Sequence, residues 1–218
     1  TAAFEEVKKQ AEIRGVRVTG SELVGLIPLD AMLEAGYFYL NMQGKSTGIP
    51  QKDLIETAIQ SLGLRDIAEF DPQQKIIEYR VAGATPLADM SAREFADITS
   101  IDTPVPGGGS VSALMGSLAS ALACMVANLT IGKKGYEAAS EEMMQVAAEA
   151  QPLKDALLKA VDDDSNAFDG VMAAMRLPKK SDEDKQHRQE AIESATRDAI
   201  EVPFTVIGNC LRTVELVE

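Results

Sequence analysis

From Ser110 to Gly132 the chain carries no charged side chain. A segment of that length and polarity either crosses a bilayer or packs among other helices. Its composition favours packing. Ser110, Ser112, Ser117, Ser120, Asn128 and Thr130 interrupt it, and much of the remainder is alanine. Leu114, Leu118, Leu122 and Met125 supply only a modest apolar face, whereas the small residues let neighbouring helices approach closely. The expectation is a core helix of a bundle, buried on all sides, and no membrane span. A dimer interface along it is compatible with the same pattern.

The rest of the composition suits a globular chain. Of 218 residues, 45% are hydrophobic and 25% charged, which excludes a disordered tail or a collagen-like fibre. The formal net charge is -13, and most of the acid lies beyond residue 85. Such a surface repels phosphate backbones, so no nucleic-acid partner is expected, although local basic patches can hold a small anion. A single histidine makes a histidine-based metal site or triad improbable, and no metal is expected. Cys124 and Cys210 lie in apolar helical stretches without a Cys-x-x-Cys spacing. They read as reduced, buried thiols of a cytoplasmic protein. No signal-peptide pattern opens the chain. Its first residues already read as mid-helix, as in a fragment of something longer.

Along the chain the pattern changes once. Phe4, Val7 and Ala11 have helical spacing, with Gly15 as a stop. Val16, Val18 and the run Leu23 to Ile27 read as strand, and Ile76 to Val81 as a short β-rich run. Between them the spacing predicts helices over about 29–41 and 52–62. Gly44-Lys45-Ser46-Thr47 lacks the preceding glycine and strand of a phosphate loop and reads as a helix-ending turn. The expectation is therefore a small α/β segment over residues 1–84, a linker over 85–90, and an all-α bundle over 91–218, α+β overall. In the bundle, Ser91 and Ser181 are candidate helix caps, and one long helix should run from about Tyr136 to Met175.

Three features can carry chemistry. Gly107-Gly108-Gly109-Ser110 exposes backbone N–H groups at the start of a helix and suits an anion or the polar edge of a heterocycle; the alternative is a loop packed under another helix. Lys133-Lys134 and Lys179-Lys180 follow helix ends, where lysines are commonly solvated dipole partners, but in an acidic domain they could hold a polyanionic tail. The third is Asp162-Asp163-Asp164. The apolar stripe of that helix runs Leu157, Val161, Phe168, Val171 and Met175. Four-three spacing places Asp164 on the stripe and turns Asp162 and Asp163 toward solvent. A carboxylate on a packed face loses hydration, which makes Asp164 a candidate general base unless a Lys or Arg pairs with it. His187 lies on a polar face and reads as exposed, while Met172 and Met175 read as core.

The stretch from Pro104 through Gly109 to Tyr136, the segment DDDSNAFDGVMAAMRLPKK and VPFTVI resemble the cyclodeaminase domain of the formiminotransferase-cyclodeaminase family. Upstream, VTGSELVGLIPLDAM with IIEYRV resembles the end of the family's formiminotransferase domain. The resemblance implies an enzyme of histidine breakdown that cyclises 5-formiminotetrahydrofolate to 5,10-methenyltetrahydrofolate and releases ammonia, joined to an incomplete glutamate formiminotransferase. Tetrahydrofolate is then substrate and carrier, no metal is needed, and the helical domain is dimeric with its site near a dimer interface. The family's catalytic aspartate falls on Asp164. Gly107, Gly108, Gly109 and Ser110 would position the pterin, and Lys133, Lys134 or Lys179 would meet the glutamate tail of a folate, polyglutamylated forms included. A non-catalytic folate-binding fragment and a methenyltetrahydrofolate cyclohydrolase are the alternatives.

Overall fold

The computed structural model describes residues 1–81 and 86–218. The first part holds α1 (Ala2–Ile13), α2 (Leu29–Met42), α3 (Gln51–Leu62), α4 (Pro72–Lys75) and α5 (Ile77–Val81). Its centre is the α2–α3 pair. Met32, Ile55, Ile59, Leu64, Phe70 and Ile76 form one buried cluster, each face set by i, i+3, i+4 spacing. α3 ends at Gly63, whose φ of 61° gives the left-handed cap. Gly36 is obligatory for a different reason, because a β-carbon there would overlap the Leu54 carbonyl oxygen across the helix pair.

The expected strands are not found. Val16 to Gly20 has no ladder partner among the described residues, and the only pairing in this part is an isolated parallel bridge between Ile27 and Ile76. Ile27 donates to Lys75 O at 2.9 Å, and Ile77 donates to Ile27 O at 3.0 Å. The residues after the bridge turn into α5. An isolated pair of short strands is marginal in water. With no third strand to extend it, local i→i+4 bonding wins, as in Arg80 N to Ile76 O at 3.2 Å. The first part is therefore helical and not a small α/β unit. The expected junction falls partly on Ala82 to Thr85, which lie outside the described residues; Pro86 to Met90 form turns.

The second part holds α6 (Ala92–Thr99), α7 (Gly108–Thr130), α8 (Ser140–Met175) and α9 (Asp182–Glu215). Ser91 and Ser181 each close a reciprocal capping box with the residue three positions on. α7 packs on α8 and α9 through small residues. Ala113, Gly116, Ser117, Ser120, Ala123 and Ala127 are buried, and a β-carbon on Gly116 would overlap Cys210 Sγ. Buried hydroxyls find partners here: Ser117 Oγ donates to Lys154 O at 2.9 Å, and Ser120 Oγ lies 2.7 Å from Thr213 Oγ1.

α7 is long and apolar enough to cross a membrane by length and composition, yet one whole face of it is packed on protein. It is not buried on all sides. Met115, Leu118, Leu122, Met125 and Leu129 are exposed, Leu122 by 57%. A matching row, Phe204, Ile207, Leu211 and Val214, is exposed along α9. Thus the expected role of the small residues holds, and the larger ones are turned outward. Met175, expected in the core, is also exposed, by 49%.

The two parts meet where Gly48, in the turn after α2, enters the groove between α7 and α8. Its carbonyl accepts from Asn128 Nδ2 at 2.7 Å and from Cys124 Sγ at 3.4 Å. A β-carbon on Gly48 would overlap Ala147. Burial pushes the Cys124 thiol above its ordinary pKa, so it behaves as a packing group.

Candidate active site

α7 begins without a cap of its own. Its N-cap is Gly107, which has no side chain to accept from the first turn. The missing acceptor comes from α8. Asp164 Oδ2 accepts from Ser110 N at 2.8 Å and from Ser110 Oγ at 3.0 Å. The negative carboxylate also sits at the positive end of the α7 dipole. Ser110 is completely buried, and its Oγ lies 3.0 Å from Ser165 Oγ, itself 5% exposed. Asp164 is half-buried, and no Lys or Arg pairs with it among the described residues.

The glycines have separate duties. A β-carbon on Gly109 would overlap the Asp164 carboxylate, so only glycine lets α8 come this close. Gly108 faces open space. Beside Asp164 there is consequently an accessible strip of main chain at a helix N-terminus. Oδ2 is engaged by two donors. Oδ1 accepts no hydrogen bond among the described residues and lies against Gly109, whose absent β-carbon it would meet first.

Sequence reasoning placed the neighbouring acids only in part. Asp163 is solvent-facing, as expected, with Lys159 Nζ 2.7 Å from its Oδ1. Asp162 is not: it is 4% exposed and accepts from Leu87 N at 3.0 Å and Ala88 N at 3.1 Å. The helix buries a broader arc than the assumed stripe, because the 86–90 turns cover the side on which Asp162 lies. Ser165 was overlooked, although the four-residue steps Leu157, Val161, Ser165 point to it. Phe168, by contrast, is 38% exposed.

The lysines do not join this cluster within one chain. Lys133 and Lys134 follow the far end of α7, roughly 33 Å from its start at ~1.5 Å per residue. Lys133 Nζ lies 5.1 Å from the centre of the Tyr136 ring. Lys179 follows the end of α8, whose last residue is roughly 16 Å along the axis from Asp164. Helix length, invisible in a short motif, separates them. His187 is exposed, as expected. Among the described residues, no cluster of His, Cys, Asp or Glu has the arrangement of a metal site.

This geometry, a helical bundle setting a half-buried carboxylate against a glycine-built helix start, is a candidate site for acid–base chemistry. The chain belongs to the formiminotransferase-cyclodeaminase family: residues 91–218 match the family's Formiminotransferase-cyclodeaminase region and residues 1–82 its Formiminotransferase domain. It is similar to the mouse formimidoyltransferase-cyclodeaminase, 35% identical over 204 residues, covering 92% of this chain and 38% of that protein. It is also similar to a methenyltetrahydrofolate cyclohydrolase of Methylorubrum extorquens, 39% identical over 124 residues, covering 57% of this chain and 60% of the other. A crystal structure of formiminotetrahydrofolate cyclodeaminase from Thermotoga maritima matches 59% of this chain and 71% of its own at 29% identity, with a TM-score of 0.42. The chain thus spans well under half the length of the mouse protein.

Proposed function

We propose that the helical part, residues 91–218, is a cyclodeaminase unit that converts 5-formiminotetrahydrofolate to 5,10-methenyltetrahydrofolate and ammonia, and that residues 1–84 are part of a glutamate formiminotransferase. The observation that carries the reading is the half-buried Asp164 carboxylate, tethered through Oδ2 and without a hydrogen bond at Oδ1 among the described residues, beside the exposed Gly108. In this chemistry the anilino nitrogen of the folate attacks the formimino carbon and gives up a proton. The formimino nitrogen must gain a proton to leave as ammonia. One carboxylate performs both transfers, first as base and then as acid. Ser110 and Gly109 hold that carboxylate still, so its second oxygen has a defined direction. Ring closure is intramolecular, and correct placement of the two nitrogens supplies much of the acceleration. No step requires a metal.

Tetrahydrofolate derivatives are accordingly the substrates, and the compartment is the cytoplasm, where free thiols such as Cys124 and Cys210 persist. The exposed rows on α7 and α9 support assembly into a homodimer or larger homo-oligomer, since such apolar stripes are rarely left to water.

The test is Asp164→Asn assayed with 5-formiminotetrahydrofolate by methenyl absorbance. The amide keeps an acceptor for Ser110, so stability should change little while turnover falls by about 10²- to 10⁴-fold. Folate binding without turnover in the unaltered chain would favour a binding module instead. The similarity to the Methylorubrum protein supports one rival chemistry, hydrolysis of the methenyl bridge; turnover of the methenyl compound without ammonia release would establish it.

A further inference from the structure

The proposed reaction leaves one buried charge unused. Asp162 is 4% exposed and no cation pairs with it among the described residues. Its oxygens are divided between consecutive amides: Oδ1 accepts from Leu87 N at 3.0 Å and Oδ2 from Ala88 N at 3.1 Å. Asp162 and Asp164 lie two residues apart, within one turn of α8. The chain leaves Asp162 at Ala88, forms α6, crosses an exposed stretch from Ser100 to Pro104, and returns at Ser110, where Asp164 receives it. Residues 87–110 are therefore an excursion with both feet on one helical turn. Between the feet it is pinned by Phe95, 7% exposed, with Leu87 and Met90, against Ala113, Val161 and Val206.

A buried carboxylate is a poor source of net stability, because its lost hydration largely offsets the bonds it makes. What two oxygens on two consecutive N–H groups do supply is a single register. We infer that Asp162 is a positioning residue: by fixing the first foot of the excursion, it sets the Gly107–Ser110 turn against Asp164. The same bonds tie the region between the two family matches, which end at 82 and resume at 91, to the turn of α8 that carries the candidate site. The catalytic consequence rests on the function proposed above; the mechanical link between the feet does not.

Hydrogen exchange of the full chain tests it, with Asp162→Asn, which preserves size but turns a donor toward an N–H. The amides of Leu87 and Ala88, and also those of Ser110 and Val111, should exchange at least tenfold faster, while α8 amides from Leu153 to Lys159 keep their protection. The KM for 5-formiminotetrahydrofolate should rise severalfold. Coupling between two sites is reciprocal, so Ser110→Ala should speed exchange at Leu87 and Ala88 in turn. Faster exchange at Leu87 and Ala88 alone overturns the inference, as does a uniform rise across the bundle, the mark of lost stability only. Should Asp162→Asn not fold, Ser110→Ala decides, and unchanged exchange at Leu87 and Ala88 refutes the link. An unaltered chain that neither binds nor converts folate refutes the proposed function, and the exchange results stand apart from it.

Discussion

The two parts of the molecule are built from opposite materials. The first, around α2 and α3, buries its large side chains: Met32, Ile59 and Ile76 are inside, and the pair closes on itself. The bundle does the reverse along α7. Its inward face is mostly alanine, serine and glycine, and Met115, Leu118, Leu122, Met125 and Leu129 stand outside. Small residues bring three helices within reach of each other's backbones, which is what seats Asp164 on the start of α7. The same choice leaves the bundle's apolar area unspent. The first part thus takes its stability from its own core, whereas the bundle seats Asp164 against the start of α7 and leaves an apolar surface exposed.

That contrast can be broken most directly by paired truncations. Met32→Ala, fully buried, should cost about 2–5 kcal/mol in urea unfolding. Leu122→Ala, 57% exposed, should fall within about 0.5 kcal/mol at concentrations where copies are separate. Equal losses would show that the outer face of α7 is covered after all. The inward face is tested next by Gly116→Val, which drives a side chain into Cys210 and Leu157. Overpacking there should destabilise by about 1–3 kcal/mol, and a neutral result would mean that α7 and α9 are looser than described.

The smallest effect concerns how α1 is fastened to the first part. Tyr39 Oη donates to Glu5 Oε1 at 2.7 Å. That bond, chiefly, holds the Glu5 carboxyl below its ordinary value of 4.5. Burial, with Glu5 beside it, raises the Tyr39 phenol, so it keeps its proton throughout the acid range. A depressed carboxylate contributes stability above its unfolded pKa and loses it as pH falls through the folded value. Tyr39→Phe should therefore cost about 1 kcal/mol near neutral pH and almost nothing in strong acid, where the carboxyl is already protonated. A cost that does not vary with pH would mean the hydroxyl serves packing alone.

Much of this was legible in the residues. Ser91 and Ser181 announced their helices because capping chemistry is local. Asp164 was found because spacing along one helix reports which face meets a neighbour. The failures share a cause. Val16 to Ile27 and Ile76 to Val81 carry β-branched residues, but a strand needs a partner, and partners are not written in a segment's own composition. Asp162 looked solvated because nothing in its helix reveals that the 86–90 turns fold over it. Lys133 and Lys179, assigned by resemblance to a folate's glutamate tail, stand apart from Asp164 within one chain, a separation set by the lengths of α7 and α8 that no short motif shows.

Periodicity, caps and the glycine run determined the helices, their ends and the inward direction of Asp164, because these depend on neighbours within a few residues. Tertiary structure alone decided that Asp164 seats on Ser110, that Asp162 holds Leu87 and Ala88, and that Leu118, Leu122 and Leu129 of α7 face outward. Each of those is a contact between distant segments, and its free energy exists only once the chain has brought them together.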